Sequence, residues 1–136
     1  MKPRRSILSV PGHIAKMHIK ASEQQVDVVM LDLEDSVPAD AKTEARDLVI
    51  RSIQTLDWQD TTVTFRINSL DTPFGYRDLL EVVEAAGPRI DTVVVPKVNH
   101  PEDIYFVSRM LDGIEMAKGF SRRIGIEALI ESAEGL

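Results

Sequence analysis

Four charged residues recur along the chain at nearly constant intervals. Glu34, Arg66, Lys97 and Glu131 are separated by 32, 31 and 34 residues. One strand-plus-helix unit takes about thirty residues, so the spacing places one charged side chain near the end of each of four consecutive strands. In parallel α/β folds, open or barrel-shaped, active sites sit at the C-terminal ends of the strands. The residue types suggest a chemistry. Carboxylates are hard oxygen ligands suited to Mg²⁺, which keeps several waters and often takes only one or two protein carboxylates. Arginine presents a planar fork that matches a carboxylate or carbonyl oxygen. A metal and an arginine set against the same region suit a reaction that develops negative charge on oxygen, such as formation of an enolate.

The elements that must hold these residues are legible around them. Val28, Val29, Met30 and Leu31 form a contiguous apolar run with no helical period, the pattern of a strand buried on both faces. It runs into Asp32, Glu34 and Asp35, acids that are costly to bury unless a cation or donors meet them. Alternation along a strand would put Asp32 and Glu34 on one face, and Arg66 and Asn68 on one face, with Asp35 just past the strand. Further strands are expected over residues 6–10, 62–68, 92–97 and 124–131. Helices are expected over residues 14–24, from Pro38 to before Trp58, through Leu79, Leu80, Val83 and Ala86 to Gly87-Pro88, and from His100 onward. The order βαβαβαβαβ implies a parallel sheet with helical crossovers.

Each residue also has a plainer reading at this level. Asp35 or Ser36 could cap the following helix. Arg66 could form a structural ion pair with Glu34 or Asp35. Lys97 could be solvated, and Glu127 or Glu134 could be mistaken for Glu131. His13 and His18 are five apart, so they do not form a helix-face metal pair, and His100 precedes a proline as a turn residue would.

Composition narrows the partners. The 136 residues carry 16 basic and 22 acidic side chains, a formal charge of −6 with no basic stripe, which argues against nucleic acid. There are no cysteines, so disulfides and thiolate metal sites are excluded. No apolar run is long enough for a membrane span, and no signal-peptide stretch follows the basic N-terminus before Pro11-Gly12. These features lead us to expect a soluble cytoplasmic protein. Glycine-rich nucleotide loops and a GxSxG elbow are absent from the sequence.

Five segments then occur in a specific order: RSILSVPG at 5–12, LDLEDSV at 31–37, RIN at 66–68, VPK at 95–97 and LIESAEG at 129–135. In this combination the chain resembles the citrate lyase beta subunit and malyl-CoA lyase family, within the HpcH/HpaI aldolase group. The resemblance implies a TIM-type (β/α)8 barrel, of which residues 1–136 would form the N-terminal part as about five strands and four helices. It implies a Mg²⁺-dependent carbon–carbon lyase acting on an acyl-CoA thioester such as citryl-CoA or malyl-CoA, usually as a homo-oligomer. The family's metal-binding glutamate falls on Glu131. Its substrate-contacting arginine falls on Arg66, and Asn68 of the same motif is expected to bind substrate beside it. Its acidic pair falls on Glu34 and Asp35, expected to organise the metal's water shell and to anchor Arg66, which leaves Asp32 a structural role. Lys97 falls on the PK motif near the site and is expected among the catalytic residues with Arg66, Glu34 and Asp35, and Ser132 stands where many relatives have threonine.

A full barrel takes about 250 residues, and the family's second metal-binding aspartate lies beyond the fifth strand. A complementary C-terminal half is therefore expected to complete the site. Two other readings stay open: a non-catalytic half-barrel interaction module, and an aldolase on a small oxo-acid without CoA.

Overall fold

The computed structural model describes residues 2–136. Five strands alternate with four helices: β1 Ile7–Pro11, α1 Ala15–Ser22, β2 Val28–Asp32, α2 Lys42–Thr55, β3 Thr62–Arg66, α3 Gly75–Ala86, β4 Thr92–Val95, α4 Pro101–Lys118 and β5 Gly125–Ala128. Short 3-10 turns at Ala39–Ala41 and Gly87–Arg89 lead into α2 and out of α3. All strand pairs are parallel, and the sheet order is β1-β2-β3-β4-β5. A doubly wound sheet reverses its strand order at a switch point. This sheet advances one strand at a time in one direction, which is how the wall of a barrel is built.

Alternation along the strands separates two faces. Val29, Leu31, Val63, Phe65, Val93 and Val95 join the main apolar cluster. The helices cover it with Ala45, Val49 and Ile53 of α2, Leu79, Val82, Val83 and Ala86 of α3, and Val107, Leu111 and Ile114 of α4. The opposite face carries Met30 beside Thr64 and Thr92, then Asp32 beside Arg66 and Val94. That inner face is curved. Arg4, just before β1, donates to the Thr92 hydroxyl of β4 at 3.3 Å and pairs with Glu127 of β5, although β2 and β3 lie between in the sheet.

The expected strands are present, but four stop earlier than the sequence pattern suggests; β2 ends at Asp32, whose carboxylate takes the Glu34 N–H and leaves Glu34 in the loop. β3 ends at Arg66 because the N–H of Asn68 turns away from the sheet to the Asp78 carboxylate. β4 ends at Val95, where Pro96 brings no N–H to continue the ladder. β5 ends at Ala128, which leaves Glu131 in the loop beyond it. These early endings put Glu34, Asn68, Lys97 and Glu131 on loops above the sheet, while Arg66 stays on the last position of β3.

The turn after β1 is pressed against β2. Gly12 donates its N–H to the Asp32 carbonyl at 2.7 Å, and a Cβ at Gly12 would sit 2.4 Å from that same oxygen. Gly12→Ala should therefore destabilise the protein by about 1–3 kcal/mol, read as a lower urea midpoint at unchanged slope. An unchanged midpoint would show that this turn yields without strain.

Candidate active site

The site begins with a register. Asp32 and Arg66 end β2 and β3 and are direct Cα partners across the sheet. Their side chains meet in a two-point ion pair: Arg66 Nε donates to Asp32 Oδ1 at 2.7 Å and Nη2 to Oδ2 at 2.9 Å. Asp32 is fully buried and accepts three more hydrogen bonds, from the Glu34 N–H at 2.9 Å, the Ser36 N–H at 3.0 Å and the Ser36 hydroxyl at 2.5 Å. Burial alone would raise the Asp32 pKa. Arg66, the Ser36 hydroxyl and the two backbone donors outweigh it and bring the value down to about 2. Asp32 is thus the anchor of Arg66, the part expected of Glu34 and Asp35. It binds the loop after β2 and the end of β3 into one unit.

Glu34 lies on the other side of the same guanidinium. It is buried, and its Oε1 is 3.6 Å from Arg66 Nη1 and has no hydrogen-bond partner among the described residues. Its Oε2 accepts from Lys97 Nζ at 2.7 Å. Burial first, and then the neighbouring Asp35, push the Glu34 pKa up. Asp35 is exposed, with its Oδ1 3.7 Å from Lys97 Nζ. The loop that carries both acids is pinned from behind by Lys42, whose ammonium donates to the carbonyls of Leu33 at 2.9 Å and Glu34 at 2.7 Å. Burial lowers the Lys42 pKa.

Glu131 is exposed, in the loop after β5, and its Oε2 accepts the backbone N–H of Lys97 at 2.9 Å. That loop is tied to the one after β4 by Val98 N–H to the Leu129 carbonyl at 3.1 Å, and by the Ser132 hydroxyl to Asn99 Oδ1 at 2.5 Å. The two glutamates that could be mistaken for Glu131 are engaged elsewhere: Glu127 pairs with Arg4, and Glu134 lies 3.2 Å from His100. Arg66, Glu34, Asp35, Lys97 and Glu131 therefore form one chain of contacts across the ends of β2 to β5.

Asn68 is placed differently. Its backbone N–H and its side-chain amide both donate to Asp78 Oδ2, at 2.9 and 2.6 Å. The alternation expected to set Asn68 beside Arg66 does not extend this far, because β3 has already ended. Asp78 is fully buried on α3 and also accepts from Arg46 Nε of α2 at 2.9 Å. Burial raises the Asp78 pKa against the pull of Asn68 and Arg46. This outer network fixes the loop that follows Arg66. His18 is likewise a structural residue, buried between the Ser52 hydroxyl at 2.7 Å and the Pro11 carbonyl at 2.9 Å.

Sequence reasoning missed the anchoring role of Asp32, the Lys42 clamp and the Arg46–Asp78 bridge. The first had a signal, since Asp32 and Arg66 are each the last residue of an equally long run. The Lys42 clamp closes a loop of eight to nine residues and the Arg46–Asp78 bridge spans 32, and neither left a mark in the pattern.

As a metal site the arrangement offers one exposed carboxylate, Glu131, beside an acidic loop. No group of three or more His, Asp or Glu side chains that could by itself hold a metal occurs among the described residues. The donor set fits a hard ion that keeps most of its water shell, and does not fit one that needs a full protein cage.

An unreversed parallel sheet with its polar residues gathered at one end of the strands defines the class, a TIM-type barrel wall. Residues 5–136 match the HpcH/HpaI aldolase/citrate lyase family, and the chain belongs to it. It is 44% identical over 135 residues to the L-malyl-CoA/beta-methylmalyl-CoA lyase of Cereibacter sphaeroides, covering 99% of this chain and 42% of that protein. It superposes on a citrate lyase from Burkholderia xenovorans with a TM-score of 0.87 at 16% identity, covering 98% of this chain and 43% of that one. It also superposes on the magnesium/glyoxylate complex of Haloferax volcanii malate synthase, with a TM-score of 0.83 at 19% identity over 95% of this chain and 43% of that one. The expected fold is present as a partial TIM-type barrel, and the chain spans less than half the length of these proteins.

The Asp32 pKa gives a pH signature. A carboxyl whose folded pKa is lowered adds stability above its unfolded pKa and loses it as the pH falls through the folded value. For Asp32 that window runs from 3.8 down to about 2. The shift corresponds to about 2 kcal/mol. Wild type should exceed Asp32→Asn in unfolding free energy at pH 6, and the gap should shrink by about that amount toward pH 2. A gap independent of pH in urea titrations would contradict the assignment.

Proposed function

We propose that residues 1–136 are the N-terminal part of a single TIM-barrel lyase domain, in a Mg²⁺-dependent enzyme that cleaves a carbon–carbon bond of an acyl-CoA thioester. The malyl-CoA or citryl-CoA type, which yields acetyl-CoA and an oxo-acid, is the substrate class. The observation that carries the reading is the state of Arg66. Its Nε and Nη2 are spent on Asp32, and among the described residues its Nη1 has no hydrogen-bond acceptor closer than Glu34 at 3.6 Å. A guanidinium fixed on one edge, with Nη1 left without a hydrogen bond beside Glu34, has a donor to spare for a substrate oxygen. The similarity to a malyl-CoA lyase supports the substrate class.

In this reaction the bond between the acyl α-carbon and the carbinol carbon breaks. Its electron pair passes into the thioester as an enolate, the carbinol becomes the carbonyl of the oxo-acid as a carboxylate or bound water takes its hydroxyl proton, and one proton returned to the enolate carbon gives acetyl-CoA. Arg66 donates to an oxygen on which negative charge builds, and Asp32 keeps it from swinging away. Such fixed donors act without reorganising during the reaction. Glu34 backs Nη1 and holds Lys97, and exposed Asp35 stands where it can accept from bound water. Asn68 contributes through its tie to Asp78, which orders the backbone next to Arg66. Glu131 is the residue that would hold Mg²⁺, whose charge supplies Lewis-acid stabilisation of the oxo-acid's oxygens. The edges at β1 and β5 are where the remaining barrel strands or another subunit would pair.

In the full-length protein, Arg66→Ala should lower kcat by about 10²–10³-fold. Arg66→Lys should not rescue it, because a point charge cannot hold the two-point pair with Asp32. Glu131→Ala and treatment with a chelator should each abolish turnover, with Mg²⁺ restoring only the chelated wild type. Normal citryl-CoA and malyl-CoA cleavage by both alanine variants would refute the proposal. Cleavage of free hydroxy-oxo-acids in preference to their CoA esters would move the enzyme to the aldolase side of its family.

A further inference from the structure

Lys97 has a backbone φ of 51°, in the left-handed region that residues with side chains seldom occupy. It directly follows Pro96 at the end of β4. In this conformation the two polar ends of one residue leave toward different strands. The backbone N–H reaches Glu131 Oε2 at 2.9 Å, in the loop after neighbouring β5. The ammonium reaches Glu34 Oε2 at 2.7 Å, in the loop after β2, two strands away in the other direction. Glu34 is buried, and its second oxygen has no hydrogen-bond partner among the described residues and faces Arg66 Nη1. The ammonium is thus the donor that satisfies Glu34. Without it, Glu34 would close on Arg66 Nη1, the donor that a substrate oxygen would otherwise use.

We propose that Lys97 is a positioning residue that sets two carboxylates at once, Glu131 through its amide and Glu34 through its ammonium. The inference rests on the lyase reading above and adds to it a role for a residue that does not touch the reacting atoms. Its two arms are separable, because one belongs to the backbone and the other to the side chain. Lys97→Met removes the ammonium and keeps the amide. Lys97→Gly does the same while suiting the left-handed backbone. Lys97→Pro removes the amide and forces φ to the negative side.

The test uses the full-length protein, with Mn²⁺ affinity measured by titration without substrate and with kcat and KM measured for malyl-CoA and citryl-CoA. Lys97→Met and Lys97→Gly should bind Mn²⁺ as tightly as wild type and lose roughly 10–100-fold in kcat/KM. Lys97→Arg should recover part of that loss. Lys97→Pro should weaken Mn²⁺ binding by roughly 10-fold or more. Wild-type activity in Lys97→Met, or full activity restored by Lys97→Gly without an ammonium, overturns the side-chain arm even if the proline variant does not fold. Wild-type Mn²⁺ affinity in a folded Lys97→Pro overturns the backbone arm, as does weakened Mn²⁺ binding in Lys97→Gly. A wild type that neither binds Mn²⁺ nor cleaves either thioester overturns the lyase reading itself, whereas an active wild type with indistinguishable Lys97 variants overturns only the role of Lys97.

Discussion

The polar end of this molecule depends on one buried ion pair. Asp32 and Arg66 are register partners, so the parallel ladder itself brings their Cα atoms side by side. Taking both charges out of water is expensive, and attraction between them offsets that expense only when the geometry is good and the remaining lone pairs are filled. Both conditions hold. Arg66 engages both carboxylate oxygens, and the Glu34 and Ser36 backbones and the Ser36 hydroxyl fill the rest. The pair therefore ties down a loop as well as a side chain, and that loop presents Glu34 and Asp35.

Around the pair, support comes from two directions. On the helical side, Arg46 and Asp78 form a second buried ion pair between α2 and α3, and Asp78 holds the Asn68 backbone just beyond Arg66. Lys42 closes the loop after β2 by capping two of its carbonyls. On the open side, the loops after β4 and β5 are laced together through Val98, Leu129, Asn99 and Ser132. A guanidinium held this firmly loses little freedom when a ligand arrives, which is the condition for stabilising charge by preorganised donors.

What could be read in advance follows a physical division. Periodic apolar residues such as Ala45, Val49 and Ile53 reflect burial of one helix face, and the contiguous run Val28 to Leu31 reflects a strand buried on both faces. The four recurrent charges were legible for the same reason, since each strand-plus-helix unit has nearly the same length. Alternation failed at Asn68, because it describes a strand and says nothing of where the strand stops. The endings were decided by single events, a carboxylate capturing the Asn68 N–H and a proline without an N–H at residue 96.

The sequence alone therefore determined the alternation of strands and helices, the family and the set of charged residues at the strand ends, because these depend on composition and period. The tertiary structure alone decided which acid holds Arg66, that Asn68 turns to α3, and that Lys97 reaches both Glu34 and Glu131. Those outcomes depend on directions in space between residues far apart in the chain. A one-residue difference in where a strand ends turns a side chain from one layer of the fold to another, and no local pattern records it.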